Sequence, residues 1–377
     1  MMNRHLKICF ALAAVALLAG CNSKPNGLRV QEGNHWTDEQ MAYLTSSKIE
    51  DTSPYNGNMS ISAPRPAQLF FKTSMKERQI NIYRDEGLTD LEVSHITHAP
   101  SFSFYNGLLG QKYYWTVSDT KGKKVSEASS FEMTLDNVVG PRNLFVDGVE
   151  NFRDIGGWGR YVDGKYVTYM KQGMIYRSGR FNEDKEETPK ITISESGIRE
   201  VNDHLHIKTE IDLRRSGNNE IGGLTTESPL GSEVKYYNLP MYYGGNNILT
   251  YAGPVSGDSY QYDNPKAIKQ FFDLLADKDN YPINFHCSIG KDRTGCMAYL
   301  IEGLMGFSEE AMQRDYMFTN FANAGMCKLT DITDKYGATI SAYPGDTLKD
   351  KVFNYLNLEI GVSEENLNNI RTILGNE

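Results

Sequence analysis

Hydrophobic and polar residues alternate with a short period over residues 62–135. Clusters of Gly and Asp separate the alternating runs, and each run is long enough for one strand. Such regularly spaced strands with turn signals between them predict an all-β sandwich. The aromatic residues Tyr114 and Trp115 are expected in its core or on a sheet face. The predicted strands cover residues 68–73, 79–84, 101–105, 112–118 and 129–134.

From about residue 148 onward, short apolar runs alternate with segments of helical period. Residues 265–276 carry apolar side chains at helical spacing behind Pro265, which suits a first helical turn. Strands that alternate with helices predict an α/β fold with a central, mostly parallel sheet flanked by helices. Further strands are predicted at 174–176, 207–213 and 283–285, and further helices at 293–305, after Ser308, at 347–358 and at 363–374.

The first twenty residues have the pattern of an export signal. Arg4 and Lys7 precede a short apolar run, residues 8–18, and the sequence Leu-Ala-Gly-Cys then ends at Cys21. This ending resembles a bacterial lipobox, which implies that Cys21 carries lipid and becomes the mature N-terminus. The protein is then an exported cell envelope lipoprotein, on the periplasmic or outer surface side of a bacterial membrane. An ordinary signal peptide and a short membrane helix are the alternatives.

Five segments follow from these patterns. They are a signal peptide (1–20), a polar tether (21–61), the β-sandwich (62–135), a linker (136–147) and the α/β domain (148–377). The net charge of −9 argues against broad contact with nucleic acid, so a polyanionic substrate needs local positive charge. Beyond the signal and Cys21, three cysteines remain, and an odd number forms no complete disulfide framework.

The segment HCSIGKDRTG, residues 286–295, carries the candidate chemistry. It lies between a predicted strand and a predicted helix, so successive main-chain N–H groups can surround one phosphate. The positive end of the helix dipole adds to this field and favours the thiolate form of Cys287. Cys287 can then attack phosphorus, while Arg293 binds two phosphate oxygens. The expected phosphate-binding positions are Ser288, Ile289, Gly290 and Lys291.

Three neighbouring side chains have expected roles in the same segment. Thr294 can donate a hydrogen bond to the sulfur, and His286 can brace the loop through its ring, unless it is an ordinary core histidine. A second cation at Lys291 favours substrates with additional phosphates, unless this lysine is solvated or paired with a carboxylate. The sequence holds no HExxH, CxxC or GxxxxGK[ST] pattern, so neither a metal nor another cofactor is expected.

The segment resembles the signature of the protein tyrosine phosphatase superfamily, His-Cys-x5-Arg-Ser/Thr. Its Gly-Lys-Asp-Arg variant is similar to a bacterial subgroup of secreted tyrosine and phosphoinositide phosphatases. Three more segments agree with that subgroup over residues 145–375: NFRDIGG at 151–157, IYRSG at 175–179 and IDLR at 211–214. The resemblance implies the cysteine-phosphatase fold and a phosphorylated protein, phosphoinositide or inositol phosphate as substrate. Residues 110–133 resemble the late strands of a fibronectin type III domain.

The sequence leaves open which residue protonates the leaving oxygen. Asp212 follows an apolar strand and ranks first, Asp292 lies in the loop and ranks second, and Asp258 ranks third in a Gly- and Tyr-rich stretch. A salt bridge to Arg214 or Arg215 is the alternative role for Asp212. Two other functions are alternatives for the whole chain: an inositol-polyphosphate phosphatase, and a surface protein that binds phosphate without turnover. An intact nucleophile argues against the second.

Overall fold

A computed structural model describes most of the chain and contains a mixed α/β fold. The described residues are 28–31, 35–58, 62–72, 76–123, 126–133, 139–163, 165–182, 192–215, 227–245, 248–256, 260–322 and 327–376. The predicted signal peptide, Cys21 and Asp258 lie outside these ranges. Within them, no helix has both the length and the apolar composition needed to cross a membrane.

Among the described residues before position 135, seven strands form two antiparallel sheets. One has the order β4-β3-β6-β7 and the other the order β1-β2-β5. Their inner side chains share one apolar cluster in which Trp115 is fully buried, as predicted. The likeness to a fibronectin type III domain stays a prediction. The strands are β1 Arg29–Gln31, β2 Ala67–Phe70, β3 Arg78–Tyr83, β4 Leu91–Thr97, β5 Ser101–Phe104, β6 Lys112–Ser118 and β7 Ser129–Glu132.

A six-stranded sheet forms the centre of the second part. Its order is β14-β13-β17-β12-β9-β8, with four parallel strands and two antiparallel strands at one edge. The sheet is therefore mixed, with the mostly parallel character that the sequence predicted; its antiparallel edge was not predicted, because strands of only two residues carry no visible period. The strands are β8 Arg142–Asn143, β9 Arg153–Asp154, β10 Gly159–Val162, β11 Lys165–Thr168, β12 Ile175–Ser178, β13 Thr209–Asp212, β14 Lys235–Asn238, β15 Ala252–Pro254, β16 Gln261–Asp263 and β17 Ile283–His286.

Helices cover the sheet and begin where the sequence provides caps. Ser308 and Ser363 each accept a hydrogen bond from a main-chain N–H of the first turn, which confirms both predicted starts. The α-helices are α1 Asp38–Thr45, α2 Glu195–Arg199, α3 Asn264–Leu275, α4 Asp292–Met305, α5 Glu309–Phe318, α6 Ala338–Ser341, α7 Leu348–Asn354 and α8 Glu364–Leu374. Short 3₁₀ helices are Ser53–Tyr55, Ile155–Gly157, Lys278–Asn280 and Thr319–Phe321. Short π-helices are Glu200–His204, Asp331–Gly337 and Tyr355–Glu359.

Residues 35–58 pack against the α/β part, although the sequence predicted a tether there. Trp36 is fully buried in the main core, and its Nε1 donates to the carbonyl of Pro141 at 3.1 Å. The guanidinium of Arg314 on α5 donates to the carbonyls of Tyr43 at 3.0 Å and Ser46 at 2.6 Å. A few apolar side chains at helical spacing anchor this segment, and its polar average composition concealed them.

Charged side chains join the two antiparallel sheets to the α/β part. His204 lies 2.7 Å from Glu200 and 3.2 Å from Glu92 on β4. Burial lowers the pKa of His204, but hydrogen bonds to these two carboxylates more than offset burial and raise the pKa to about 9. This contact is therefore between charged groups at neutral pH.

Candidate active site

The segment 286–295 forms a loop between the central strand β17 and helix α4. Gly290 in this loop has a φ of +73°, a conformation that favours glycine. A Cβ at this position would lie 2.6 Å from the carbonyl oxygen of Ser178 and 2.8 Å from Asn151 Nδ2. Any other residue here would therefore displace the loop from the strand end that supports it.

Three carbonyl groups of the loop are bound from outside by side chains of other elements. Because the N–H of a trans peptide points opposite to its carbonyl, the N–H groups of residues 289–291 point to the other side of the loop. That arrangement makes a nest of donors for an anion. The bonds run from Arg180 Nη1 to Ser288 O at 3.0 Å, from Asn151 Nδ2 to Ile289 O at 3.1 Å and Gly290 O at 3.2 Å, and from Arg177 Nη2 to Gly290 O at 2.9 Å.

Cys287 and Arg293 lie at the two ends of this loop. Cys287 follows β17 directly, has a free thiol and is 2% exposed. Arg293 lies in the first turn of the 14-residue helix α4 and is 3% exposed. Its guanidinium donates to Leu213 O at 3.3 Å and to Ser288 Oγ at 3.4 Å. The thiol, the guanidinium and the positive helix end therefore belong to one loop and the helix that follows it, and their joint binding of a phosphate stays a prediction.

Aromatic side chains stack on two arginines, one of which is Arg293 of this site. The ring of Tyr243 lies 4.8 Å from the guanidinium of Arg293 and is 52% exposed. Tyr260 makes a similar contact with Arg215, at 5.0 Å. Such cation–π contacts hold a guanidinium in place and leave the outer ring face to a ligand.

His286 braces the end of β17, and it does so with a partner that the sequence did not reveal. Its Nε2 lies 2.8 Å from Oε1 of Glu210 on β13, and its Nδ1 lies 3.3 Å from the carbonyl of Cys287. Both side chains are fully buried. Glu210 was missed because an acidic residue inside a strand gives no indication of which strand lies beside it.

Asp212 is paired with arginine, and this geometry favours its alternative, structural role. Its carboxylate accepts from Arg214 Nε at 2.9 Å and Nη2 at 2.7 Å, and from Tyr236 at 3.2 Å. Burial raises the pKa of Asp212, but His286 and Arg214 lower it to below its ordinary value overall. A general acid must hold a proton at the working pH, so the first-ranked candidate lacks support from the structure.

Asp292 has the opposite electrostatic character. Burial raises its pKa above the ordinary range, although Lys291 and Lys335 lower it in part. The hydroxyl of Tyr336 donates to the carbonyl of Asp292 at 3.1 Å and holds this end of the loop. Asp212 and Asp292 are the two candidate general acids that the structure describes, and Asp292 is the one that keeps its proton to higher pH. Asp263, near the third candidate, caps helix α3.

Lys291 forms part of a small charged cluster beside the loop. Its Nζ lies 3.9 Å from Asp331, which also binds Lys335 at 2.9 Å. The expected alternative of a paired lysine therefore matches this geometry. The hydroxyl of Thr294 is buried and has no hydrogen-bond partner within the described ranges, and its bond to sulfur stays a prediction. No group of three potential metal ligands was found among the described residues.

A loop with outward carbonyls, a buried cysteine and an arginine at a helix N-terminus defines the class of cysteine-dependent phosphatases. The sequence model of the tyrosine phosphatase family matches residues 144–375, which is more than half of the chain. The chain therefore belongs to the tyrosine phosphatase family, and it is a phosphatase enzyme.

Relatives with curated names support this assignment over parts of the chain. A candidate tyrosine-protein phosphatase of Cupriavidus necator is 24% identical over 200 residues, which cover 50% of this chain and 67% of that protein. A tyrosine-protein phosphatase of Nostoc commune is 34% identical over 82 residues, which cover 22% of this chain and 28% of that protein.

Two solved structures are distantly similar. The core catalytic domain of the PP-IP phosphatase SIW14 from S. cerevisiae is 18% identical, with a TM-score of 0.28, and covers 46% of this chain and 91% of its own. TpbA of P. aeruginosa is 15% identical, with a TM-score of 0.24, and covers 57% of this chain and 94% of its own. TM-scores this low carry no argument about substrate.

Proposed function

We propose that this protein hydrolyses aryl phosphomonoesters, phosphotyrosine above all, through a phosphocysteine intermediate on Cys287 and without a metal ion. One observation supports the proposal: the carbonyls of residues 288–290 are bound from outside the loop, so the N–H groups of residues 289–291 face the other side, where we place the phosphate between Cys287 and Arg293. A dianion in this position is neutralised by donors and a guanidinium that need no rearrangement, which is where catalysis gains most.

The chemistry has two steps in this proposal. The Cys287 thiolate attacks phosphorus while the ester oxygen leaves with the proton of Asp292. Water then attacks the phosphocysteine, Asp292 takes a proton from that water, and phosphate and the thiolate are released. Arg293 binds two of the equatorial oxygens in both steps. The raised pKa of Asp292 supports its role as the proton carrier.

The exposed ring of Tyr243 supports an aryl group as the leaving group of the substrate. Tyr243 is half exposed and already stacked on the arginine that would hold the phosphate. A phenyl ring one ester bond from that phosphate would meet the edge or outer face of Tyr243, which are the arrangements that aromatic pairs prefer.

Inositol phosphates are a second candidate substrate, and a separate observation favours them. Lys291 and Lys335 lie together beside the loop, with Asp331 between them. Two ammonium groups next to the first phosphate position could bind a further phosphate of a polyphosphorylated ring, because a dianion competes with a single carboxylate for both.

A substrate panel on the full-length protein tests the proposal. Phosphotyrosine peptide, p-nitrophenyl phosphate, phosphoinositides and phytate are each offered with a chelator present, and kcat/KM is measured. The proposal expects turnover of both aryl phosphates that is insensitive to chelator. Preference for phytate or phosphoinositides would favour the second candidate, and binding of phosphate without any turnover would show a recognition module. Loss of activity with chelator would reject the cysteine mechanism.

Changing Asp292 to asparagine is expected to slow phosphotyrosine hydrolysis by about 10²- to 10³-fold, because the leaving oxygen then departs without a proton. Turnover of p-nitrophenyl phosphate, whose leaving group needs little help, should fall much less. The matched variant is Asp212→Asn, which should affect both substrates equally through its partner Arg214. A leaving-group dependence in Asp212→Asn rather than in Asp292→Asn would contradict the assignment.

Export and lipid attachment at Cys21 are part of the same proposal. The basic start, the short apolar run and the small residues before Cys21 support them. The mass of the N-terminal peptide of the protein isolated from membranes would test them, since diacylglycerol on Cys21 is expected and an unmodified N-terminus upstream of Cys21 would contradict them.

A further inference from the structure

A buried ionic cluster lies behind the phosphate loop, and the proposed mechanism does not use it. Its centre is Asp315 on helix α5, which is 1% exposed. Asp315 accepts hydrogen bonds from Arg153 Nε at 2.9 Å and from Trp158 Nε1 at 2.9 Å, and it is also bound by Arg177 Nη1. The main-chain carbonyl of Asp315 accepts from Arg153 Nη2 at 2.8 Å. One carboxylate thereby orients two arginines.

Each of these arginines leads directly to the loop. Arg177 uses its remaining terminal nitrogen, Nη2, to bind the carbonyl of Gly290 at 2.9 Å. Arg153 binds the side-chain oxygen of Asn151, whose amide nitrogen donates to the carbonyls of residues 289 and 290. Two separate routes therefore connect Asp315 to the carbonyls whose outward direction turns the loop N–H groups toward the anion.

A second carboxyl group, that of Glu302, lies in the cluster. Glu302 on helix α4 is buried next to Asp315, and burial and that neighbouring charge raise the pKa of Glu302 well above its ordinary value. This shift favours the neutral form of Glu302, and Asp315 is the carboxylate that both guanidinium groups bind.

We propose that Asp315 is a positioning residue for the phosphate loop, acting through Arg177 and through Arg153 and Asn151 to keep the loop carbonyls turned outward. Without this carboxylate the two arginines lose their common anchor, and a loop carbonyl that turns inward would oppose the phosphate. The inference rests on the proposed phosphate chemistry of the loop and adds a residue that never touches the substrate.

Asp315→Asn tests the proposal because it keeps the shape of the side chain and removes its charge. We expect kcat/KM for p-nitrophenyl phosphate to fall by about 10²-fold, the scale of a displacement near 1 Å in a catalytic group. Binding of orthovanadate and inorganic phosphate should weaken by at least about tenfold, as a nest of donors that is no longer aligned predicts. A merely structural role would lower the melting temperature without changing anion affinity in the folded fraction.

A matched control lies on the same helix. Glu310 pairs with Arg314 and its side chain is 65% exposed, so Glu310→Gln removes an ion pair of α5 far from the loop contacts. Its kcat/KM and vanadate affinity should equal those of the wild type. Equal losses of kcat/KM and vanadate affinity in both variants would show that the stability of helix α5 causes them, and this result would overturn the proposal.

A second variant keeps the proposal falsifiable if Asp315→Asn does not fold. Asn151→Asp is nearly isosteric, tolerates the φ of +58° at this position, and still accepts from Arg153, but it loses the amide that binds the loop. It should weaken vanadate binding in the same direction. Unchanged anion affinity and kcat/KM in a folded Asn151→Asp or Asp315→Asn protein would overturn the proposal.

The two proposals fail in different ways. If the wild-type protein turns over no phosphomonoester, the proposed function fails. The positioning role is then still decided by calorimetric titration of inorganic phosphate into the wild type and the variants.

Discussion

Replacing Cys287 by serine is expected to abolish turnover, with kcat reduced on the order of 10⁶-fold, as for removal of the nucleophile of a covalent hydrolase. A serine hydroxyl holds its proton far more tightly than a thiol and stays protonated at neutral pH, and the adjacent His286 is engaged with Glu210 and does not serve as its base. Steady-state kinetics with p-nitrophenyl phosphate measure the loss. Phosphate binding should persist, because the donors of residues 289–291 and Arg293 are unchanged.

The control for this experiment is another buried cysteine. Cys296 lies on helix α4 in the apolar core, and its thiol pKa is raised by burial, so it is not a nucleophile at neutral pH. Cys296→Ala should keep the wild-type kcat in the folded protein. A Cys287→Ser protein with more than about one hundredth of wild-type turnover, or a Cys296→Ala protein without turnover, would contradict the assignment of the nucleophile.

Exchanging Arg293 for lysine is expected to lower kcat/KM by about 10³-fold, although the positive charge is kept. Lysine offers a point charge, whereas the guanidinium offers two parallel N–H donors that match the equatorial oxygens of the transferring phosphoryl group. Lysine also loses the planar face that stacks on Tyr243 at 4.8 Å. Kinetics on p-nitrophenyl phosphate measure the loss of turnover, and titration with vanadate measures the loss of anion binding.

Arg314 provides the comparison for this exchange. It is a buried arginine that contacts Glu310 and the carbonyls of Tyr43 and Ser46, at a distance in the fold from the loop. Arg314→Lys should lower the melting temperature while kcat/KM per folded molecule stays the same. An Arg293→Lys protein that retains wild-type kcat/KM would show that charge alone is sufficient and would remove the bidentate role.

The identity of the general acid depends on features that the sequence does not contain. Asp212 ranked first because it follows an apolar strand, and the structure does place it at the carboxyl end of β13, in register with His286. Its protonation state depends on Arg214 and His286, which surround the carboxylate in space. Asp292 is favoured instead because its burial raises its pKa, and burial is a property of the packed molecule.

The packing of residues 35–58 could not be predicted from their composition either. Their average composition is polar, and the prediction of a tether followed from that average. The capping box of Thr37 and Gln40 instead starts helix α1, and the buried ring of Trp36 attaches the segment to the α/β core. A few apolar residues decide such packing, and they anchor the segment only where a complementary surface lies opposite them.

The sequence by itself determined what lies close together along the chain: the cysteine, the arginine and the glycine of the phosphate loop, the strand before it and the helix after it. Short-range spacing was sufficient because strand, turn and helix place these groups by local geometry. Tertiary structure alone decided which groups hold that loop from behind. Arg153 meets Asp315 across 162 positions of the chain, and His286 meets Glu210 across 76. Such pairs depend on which strands and helices pack side by side, and no local period records that choice.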